Sequence, residues 1–299
     1  MGAHSALRAA GRALMVQEQA AKPAPVFRCG RFAFDFARPL VMGILNVTPD
    51  SFSDGGRYLD RARALDHARR MRDDGADLID IGGESSRPGA LPVTEEDELA
   101  RVMPLVATLA AEGIAIAVDT RKPAVMRAAA AAGAAMVNDI TALTGSGAIE
   151  ACAGTDVGVC LMHMKGEPQT MQTAPSYDDV VAEVRDFLVR RATACVDAGI
   201  ARERIALDPG FGFGKTLAHN LLLLRSLGTL AATGYPVVAG LSRKRSLGEI
   251  TGRSVDERMP ASLAAALCAV EHGAAIVRVH DVRATVDAIK VWCAVERGA

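Results

Sequence analysis

The feature that most constrains the fold of this 299-residue chain is an alternation of short apolar runs with longer Ala- and Arg-rich segments, repeated eight times. The runs are rich in Val and Ile and are continuously apolar, which predicts strands of a parallel sheet that is covered on both faces. They read LVMGILNV, ADLIDIGG, IAIAVDT, AAMVNDI, VGVCLMHM, IALDPG, PVVAGLS and AAIVRVHD. Eight strand–helix units predict an α/β fold of the (β/α)8 TIM-barrel type rather than an open doubly wound sheet.

The segments between the runs predict helices, for example over 60–74, 94–112 and 177–198. Five segments, DDGAD, AEGIA, AAGAA, DAGIA and EHGAA, place a glycine just before the next run, which is typical of a helix C-cap. FRCGRFAFDF, ahead of the first run, predicts a short N-terminal β-hairpin. No low-complexity linker divides 26–299, which we interpret as one barrel domain, whereas 1–25 is predicted to be a flexible or weakly helical tail that ends at Pro23 and Pro25.

Composition excludes several classes of protein. Half of the residues are hydrophobic, which is enough for a sizeable core, and the net charge of −1 gives no indication of a nucleic-acid partner. No apolar run approaches the roughly 20 residues of a membrane span, and the N-terminus lacks the apolar core of a secretory signal. The six cysteines are scattered without a CxxC pair, which predicts a reduced, cytoplasmic protein.

Each apolar run ends in polar residues. Any one of them could simply cap the following helix, and we assign Asp281 to that role. Eight polar exits are better explained by a shared site, because the carboxyl ends of barrel strands converge on one mouth. The candidates are Asn46, Glu84-Ser85-Ser86-Arg87, Asp119, Asn138, His163, Asp208, Ser242-Arg243-Lys244, Arg278 and His280.

These candidates separate by charge into two groups. Asp119, Asn138 and Asp208 follow the third, fourth and sixth runs, and their oxygens could accept N–H bonds from a flat heterocycle such as an aminopyrimidinone. Lys244 could donate to the same ring. Across the mouth, a second cluster of Arg278, His280 and Asn46 suits a phosphate group, and Asn46 could offer an oxygen to Mg2+.

Other chemistries find less support. DPGFGFGKT resembles a Walker A motif but has Pro209 where that motif needs its first glycine. LMHMKGEPQTM has one histidine and no zinc-ligand spacing, and no GxSxG nucleophile elbow occurs. Phe213 is either packing at the mouth or an aromatic wall for a ring, and Met162 is either core or pocket lining.

An ordered set of motifs identifies a family. The chain contains GILNVTPDSFSDGG, DIGGESSRPGA, VDTRKP, VNDI, LMHMKGEPQTMQ, DPGFGFGKT, GLSRKR and RVHDV, in that order. From about Phe27 to the C-terminus it resembles the dihydropteroate synthases, a family of pterin-binding (β/α)8 enzymes. The resemblance implies a transferase of folate biosynthesis, in which p-aminobenzoate displaces pyrophosphate from 6-hydroxymethyl-7,8-dihydropterin pyrophosphate to give 7,8-dihydropteroate. It further implies an SN1-like route, Mg2+, small-molecule substrates only and a homodimer.

The resemblance also implies roles for single residues. The pterin-binding set is Asp119, Asn138, Met162, Asp208 and Lys244. The pyrophosphate set is Asn46, Arg87, Arg278 and His280, with Asn46 as the metal ligand. These four residues and Lys244 are the expected catalytic residues, and the p-aminobenzoate pocket is formed by Phe52, Asp54, Ser86, Pro88, Phe213 and Arg245.

Two positions depart from the family pattern. Ser86 stands where Thr is more common, and Arg245 stands where many members have Ser, which affects the expected contact with the p-aminobenzoate carboxylate. The segment 48–56 is predicted to be a mobile lid because of its glycines. Two alternatives remain: a pterin barrel that transfers a methyl group, as with methyltetrahydrofolate, and a pterin-binding paralogue without activity.

Overall fold

The structure, a computed structural model, describes residues 26–47, 56–85 and 89–297. The predicted tail at 1–25 and most of the predicted lid lie outside these ranges. Eight parallel strands form the centre: β3 (Leu40–Asn46), β4 (Leu78–Gly82), β5 (Ile116–Asp119), β6 (Met136–Asp139), β7 (Gly158–Met162), β8 (Ile205–Asp208), β9 (Val238–Ala239) and β10 (Ile276–Val279).

The strands close into a barrel, as predicted. Their order is β8-β7-β6-β5-β4-β3-β10-β9, and every neighbouring pair is parallel. A parallel bridge between Leu207 and Val237 joins the two outer strands, and the Leu207 amide donates to the Pro236 carbonyl at 2.9 Å. The barrel therefore leaves no open edge between β8 and β9.

Helices surround the strands: α1 (Gly56–Asp73), α2 (Glu95–Ala111), α3 (Pro123–Ala131), α4 (Ala148–Ala153), α5 (Val180–Asp197), α6 (Leu217–Arg225), α7 (Leu227–Ala231), α8 (Arg245–Thr251), α9 (Met259–Glu271) and α10 (Val282–Arg297). The helix predicted from 177 begins at Val180, because the Asp179 side chain accepts the amides of Val181 and Ala182 at 3.0 Å and caps it there. No helix in the described ranges is long and apolar enough to cross a bilayer.

The five predicted C-cap glycines are confirmed. Gly75, Gly113, Gly133, Gly199 and Gly273 have φ angles of +98°, +84°, +91°, +97° and +102°. Only glycine adopts this left-handed region without strain, so each helix ends where the sequence predicts.

The predicted hairpin forms from β1 (Phe27–Cys29) and β2 (Phe32–Phe34) and covers the amino ends of the strands. Phe27 and Cys29 are fully buried. Gly158, the first residue of β7, permits this contact, because a Cβ there would lie 2.7 Å from Cys29 Cβ and 3.0 Å from the Phe27 ring. The hairpin therefore closes the amino end of the barrel, and the carboxyl end is open to a substrate.

The barrel interior changes from apolar to polar along each strand. Near the hairpin the inward residues are apolar, among them Met42, Leu78, Ala117, Met136, Cys160, Ala206 and Ile276. Two residues further on, the side chain that faces inward is polar on five strands, namely Asp80, Asp119, Asn138, Asp208 and Arg278. Since side chains alternate along a strand, each of these follows directly above an apolar neighbour.

Candidate active site

The polar layer opens into a cavity at the carboxyl ends of the strands. Its lining contains all five predicted pterin-binding residues, namely Asp119, Asn138, Met162, Asp208 and Lys244. The other lining residues are Ile140, Gly210, Phe211, Phe213, Gly240 and Arg278. The convergence predicted from the strand ends is thus observed for these residues. Phe213 and Met162, for which the sequence left a core role open, both line the cavity and also pack with Ile140 and Met171.

A buried ion-pair network forms the floor. Arg278 donates from Nε to Asp80 Oδ2 at 2.5 Å and from an Nη to Asp119 Oδ2 at 2.9 Å. Asn138 Nδ2 donates to the same Asp80 oxygen at 3.0 Å. Asp80 is fully buried, and its other oxygen, Oδ1, has no hydrogen-bond partner among the described residues.

Asp80 escaped the sequence analysis because it lies inside the run ADLIDIGG rather than at its end. A charged residue in the middle of an apolar strand was the available signal, since a buried charge requires a partner. The same network corrects the expectation that Arg278 stands across the mouth from the carboxylates. Its long side chain reaches over the barrel interior, so the guanidinium lies beside Asp119 and Asp80.

Burial and neighbouring charges shift the pKa values of the charged residues in the cavity. Burial alone would lower the pKa of Arg278, but the carboxylates of Asp80 and Asp119 raise it overall, so the guanidinium is charged. Burial raises the pKa of Asp119 to about 7, although Arg278 opposes that shift. Burial also raises the pKa of Asp208. Two carboxylates that share a cavity are therefore harder to ionise than exposed ones.

Asp208, Lys244 and Phe213 form one side of the cavity above this floor. Asp208 Oδ1 accepts the Gly210 amide at 2.7 Å. Lys244 places Nζ 4.1 Å from the centroid of the Phe213 ring, a cation–π contact, and burial lowers the pKa of its ammonium to about 8. The cavity thus offers a carboxylate, an ammonium and an aromatic face on one side.

The glycines of the DPGFGFGKT segment allow two loops to pack closely, and the segment is not a nucleotide-binding loop. Gly210, Gly212 and Gly214 have φ angles of +67°, +80° and +63°. A Cβ would lie 2.0 Å from the His163 carbonyl oxygen at Gly210 and 2.2 Å from the Lys165 carbonyl oxygen at Gly214. Glycine is required at both places because two loops meet there backbone to backbone. The segment also contains Lys215, a buried lysine to which the sequence analysis gave no role.

Two more of the predicted anion residues, Asn46 and His280, lie on β3 and just after β10. His280 Nδ1 is 3.0 Å from the Ser242 hydroxyl oxygen, which also accepts the His280 amide at 3.2 Å. Asn46 ends β3 opposite Gly82, where a Cβ would lie 3.7 Å from Asn46 Oδ1 and 3.8 Å from Asp119 Oδ2. The Asn46 oxygen and the Asp119 carboxylate therefore border the same glycine.

The oxygen and nitrogen donors at the mouth limit which metal could bind there. In the described ranges no group of three or more His, Cys, Asp and Glu side chains could hold an ion. Asn46 supplies a single neutral oxygen. Such a set fits Mg2+, which takes few protein ligands when phosphate and water complete its shell, and does not fit a zinc centre.

Some predicted residues lie away from the cavity. Arg245 begins α8 with its side chain 86% exposed and pairs with Glu249 at 2.8 Å, so it does not line the pocket in this structure. Asp281, which the sequence assigned to capping the following helix, pairs its carboxylate with the Arg243 guanidinium at 2.6 Å. Five predicted residues, Phe52, Asp54, Ser86, Arg87 and Pro88, lie outside the described ranges.

The chain is similar in sequence to known pterin-binding enzymes. The model of the pterin binding enzyme family matches residues 42–280. The chain is 52% identical over 272 residues to dihydropteroate synthase of Neisseria meningitidis serogroup C, covering 89% of this chain and 96% of the relative. It is 50% identical over 260 residues to the Escherichia coli enzyme of that name, covering 87% and 92%.

Solved structures agree. The dihydropteroate synthase of Xanthomonas albilineans with 4-aminobenzoic acid superposes with a TM-score of 0.87 at 52% identity, over 92% of this chain and all of that one. The Burkholderia cenocepacia enzyme complexed with 7,8-dihydropteroate gives 0.83 at 55% identity, over 91% and 96%. The chain therefore belongs to the pterin-binding enzyme family, within its dihydropteroate synthases.

Proposed function

We propose that this barrel mouth binds 6-hydroxymethyl-7,8-dihydropterin pyrophosphate and p-aminobenzoate side by side and joins them with release of pyrophosphate. One observation carries the assignment of roles: Asp119, Asn138, Asp208, Lys244 and Arg278 line a single cavity at the carboxyl ends of five strands. The complexes of the relatives with 4-aminobenzoic acid and 7,8-dihydropteroate support the same pair of ligand classes.

The pterin ring would be recognised through its edge. Asn138 donates one N–H of Nδ2 to Asp80, and this contact turns Oδ1 toward the cavity to accept an N–H from the ring. Asp208 uses Oδ1 for the Gly210 amide and keeps Oδ2 for a second ring donor. Lys244 would donate to a ring oxygen or nitrogen, and Met162 would cover a face. An acceptor, a carboxylate and an ammonium in fixed places select a heterocycle that presents complementary groups.

Charge that develops on the leaving pyrophosphate needs cations. Arg278 remains charged at every relevant pH, and its guanidinium has N–H groups beyond the two that pair with Asp80 and Asp119. His280 and, by resemblance, Arg87 and Asn46 complete this subsite. Mg2+, held through Asn46 and the substrate phosphates, would supply further charge neutralisation when bound. Arg278 would thus border both subsites.

The displacement is proposed to be dissociative. The electron-rich dihydropterin can share the positive charge of the methylene carbon as the C–O bond breaks, and p-aminobenzoate attacks as a neutral amine that needs no strong base. We expect positional isotope exchange in pyrophosphate-labelled substrate when p-aminobenzoate is absent, because a dissociative route breaks the C–O bond before the amine attacks. Strict dependence of C–O cleavage on p-aminobenzoate would contradict it.

The p-aminobenzoate pocket would use the Phe213 ring as a wall together with Phe52, Asp54, Ser86 and Pro88 of the first two loops. Arg245 would have to leave Glu249 to reach the carboxylate of this substrate. A surface ion pair of this kind is worth less than about 1 kcal/mol, so the exchange is inexpensive.

The decisive experiment combines an assay of pyrophosphate release with calorimetry of pterin binding. We expect release that depends on both substrates. A pterin methyltransferase or an inactive paralogue would bind pterin without it. Asp208→Ala should abolish measurable pterin binding, whereas His280→Ala should lower turnover and leave pterin affinity nearly unchanged. Asp197→Ala, an exposed carboxylate in α5, is the control. Wild-type pterin affinity in Asp208→Ala would refute the pterin subsite.

We further propose that the protein forms a homodimer in the cytoplasm. A homodimer is supported by the resemblance and by Val291 and Val295 of α10, which are 66% and 73% exposed. Light scattering of the purified chain would test it, and a monomer at micromolar concentration would count against it. The six cysteines are all free, which supports a reducing compartment such as the cytoplasm.

A further inference from the structure

Lys215 is a buried lysine behind the candidate cavity. It is only 3% exposed and is not among the residues that line the cavity. It ends the DPGFGFGK sequence and precedes Thr216, the N-cap of α6. A lysine in such a position must be fully compensated, because burying an unpaired ammonium is very costly.

The Lys215 side-chain nitrogen is surrounded by three carbonyl oxygens and one imidazole nitrogen. Nζ lies 3.0 Å from the Gly210 carbonyl oxygen, 3.0 Å from that of Phe213, 3.0 Å from His163 Nδ1 and 3.3 Å from the His163 carbonyl oxygen. Burial lowers the pKa of Lys215 to about 7, and the Asp208 carboxylate opposes that shift. The charged form is the one that matches this shell, because an ammonium has three donors and no lone pair to turn toward a carbonyl oxygen.

His163 is held as the matching acceptor. Burial, with Lys215 beside it, lowers the pKa of His163 to about 3, so the ring is neutral. With Lys215 charged and 3.0 Å away, Nδ1 carries the lone pair and accepts its N–H, which places the ring proton on Nε2. The ring packs edge-on against Phe187, with centroids 5.1 Å apart.

The acceptors belong to the backbone that positions the site. The Gly210 amide donates to Asp208 Oδ1 at 2.7 Å, and the His163 amide donates to the Asp208 carbonyl at 3.0 Å. The third carbonyl belongs to Phe213, whose ring lines the cavity. Fixing these peptide units fixes both the Asp208 carboxylate and the Phe213 ring.

The cation is needed because three carbonyl oxygens point toward one place. The loops after β7 and β8 meet backbone to backbone at Gly210 and Gly214, as described above, which brings the carbonyls of His163, Gly210 and Phe213 together. Their negative ends repel one another unless a positive group sits between them.

We propose that Lys215 is a positioning residue, whose ammonium gathers these carbonyls and His163 and so holds Asp208 and Phe213 in the geometry that receives the substrates. This inference rests on the proposed pterin subsite at Asp208. It assigns to the lysine of the DPGFGFGKT segment a role unrelated to phosphate binding.

The test is Lys215→Met in the full chain, with circular dichroism and thermal melting to establish the folded fraction. We expect pterin affinity, and KM for both substrates, to worsen by about 10- to 100-fold in the folded variant, because small misplacements of binding groups have effects of that size. The control is Lys165→Met, a lysine that donates to the Ser176 carbonyl at 2.5 Å and stacks on Tyr177. It should stay within about twofold, as an exposed substitution.

A second measurement separates positioning from stability. The 15N resonances of His163 should report an Nε2-protonated neutral ring in the wild type, and loss of the Nδ1 hydrogen bond in Lys215→Met. If that variant does not fold, His163→Asn, which keeps an acceptor near the Nδ1 position, should retain pterin affinity better than His163→Leu by about 10-fold, the size of one lost hydrogen bond to a charged group.

Three results would overturn the inference: wild-type KM values in folded Lys215→Met, equal affinities in the two His163 variants, or an unchanged His163 spectrum. Asp208→Ala keeps this outcome distinct from failure of the proposed function. If Asp208→Ala loses pterin binding and Lys215→Met does not, only the positioning role fails.

Discussion

The buried ion pair between Asp80 and Arg278 supports the most quantitative prediction. The perturbation is a double-mutant cycle of Asp80→Asn, Arg278→Met and both together, read as the free energy of unfolding. Nε and Oδ2 are 2.5 Å apart, and the side chains are 19% and 0% exposed. With charge centres about 4 Å apart and an effective dielectric constant of about 20, the attraction is about 4 kcal/mol.

The measured coupling should be smaller than that attraction. In Asp80→Asn the guanidinium retains Asp119 at 2.9 Å, so part of the compensation remains. We therefore expect each single variant to lose about 3 kcal/mol, and the double variant to lose about 2 kcal/mol less than their sum.

The assay is urea unfolding at one fixed pH and ionic strength, followed by fluorescence and circular dichroism. A matched control is the cycle of Arg38→Met and Asp77→Asn, a pair at 2.8 Å whose side chains are 46% and 14% exposed. Its coupling should be at most about 1 kcal/mol, since exposed pairs contribute little. Equal couplings in the two cycles, or additive losses at Asp80 and Arg278, would refute the argument that burial makes this pair strong.

Three further predictions follow from single contacts. Because burial raises the pKa of folded Asp119 to about 7, the folded state binds that proton more tightly than the unfolded state, and stability from this group falls as pH rises from about 4 to about 7. The free energy of unfolding of Asp119→Asn minus that of wild type should therefore rise with pH across that window, by up to about 1.4 kcal/mol per pH unit, and a flat difference in urea titrations would contradict this. Gly214→Ala should destabilise by about 3 kcal/mol, since its Cβ would lie 2.2 Å from the Lys165 carbonyl, whereas Gly113→Ala, which meets nothing within 4 Å, should lose only about 1 kcal/mol from its left-handed φ; equal losses would disprove the steric account. Lys244→Met should weaken pterin binding by about 10- to 100-fold in calorimetry, the effect of one hydrogen bond from a charged donor, and unchanged affinity would remove Lys244 from the subsite.

Local features of the sequence predicted most of the architecture. Continuous Val- and Ile-rich runs require a sheet covered on both faces, and glycine before each run requires a helix that ends in the left-handed region. Both patterns extend over about ten residues, so strands and helix ends can be predicted from them without tertiary information. The strand-end residues Asp119, Asn138 and Asp208 were predictable for the same reason, since the barrel places every strand exit at one mouth.

The start of α5 shows where local reading is less accurate. Tyr177 looked helical, but its hydroxyl donates to the Gly214 carbonyl at 2.8 Å, and Asp179 caps the helix instead. A hydrogen bond between residues 37 positions apart competes with helix extension, and no local pattern reports it.

The sequence by itself determined the barrel, its repeat number, the helix ends and the set of polar strand exits, because these depend on side-chain type at fixed local spacing. Only the tertiary structure decided how the charges pair. It showed that Arg278 reaches over the interior to Asp80 and Asp119, and that Lys215 holds the backbone behind Asp208. The partners of Arg278 lie on other strands, and Lys215 combines two carbonyls of its own loop with His163 from the loop after β7. Burial decides both positions, because a buried charge must be paired.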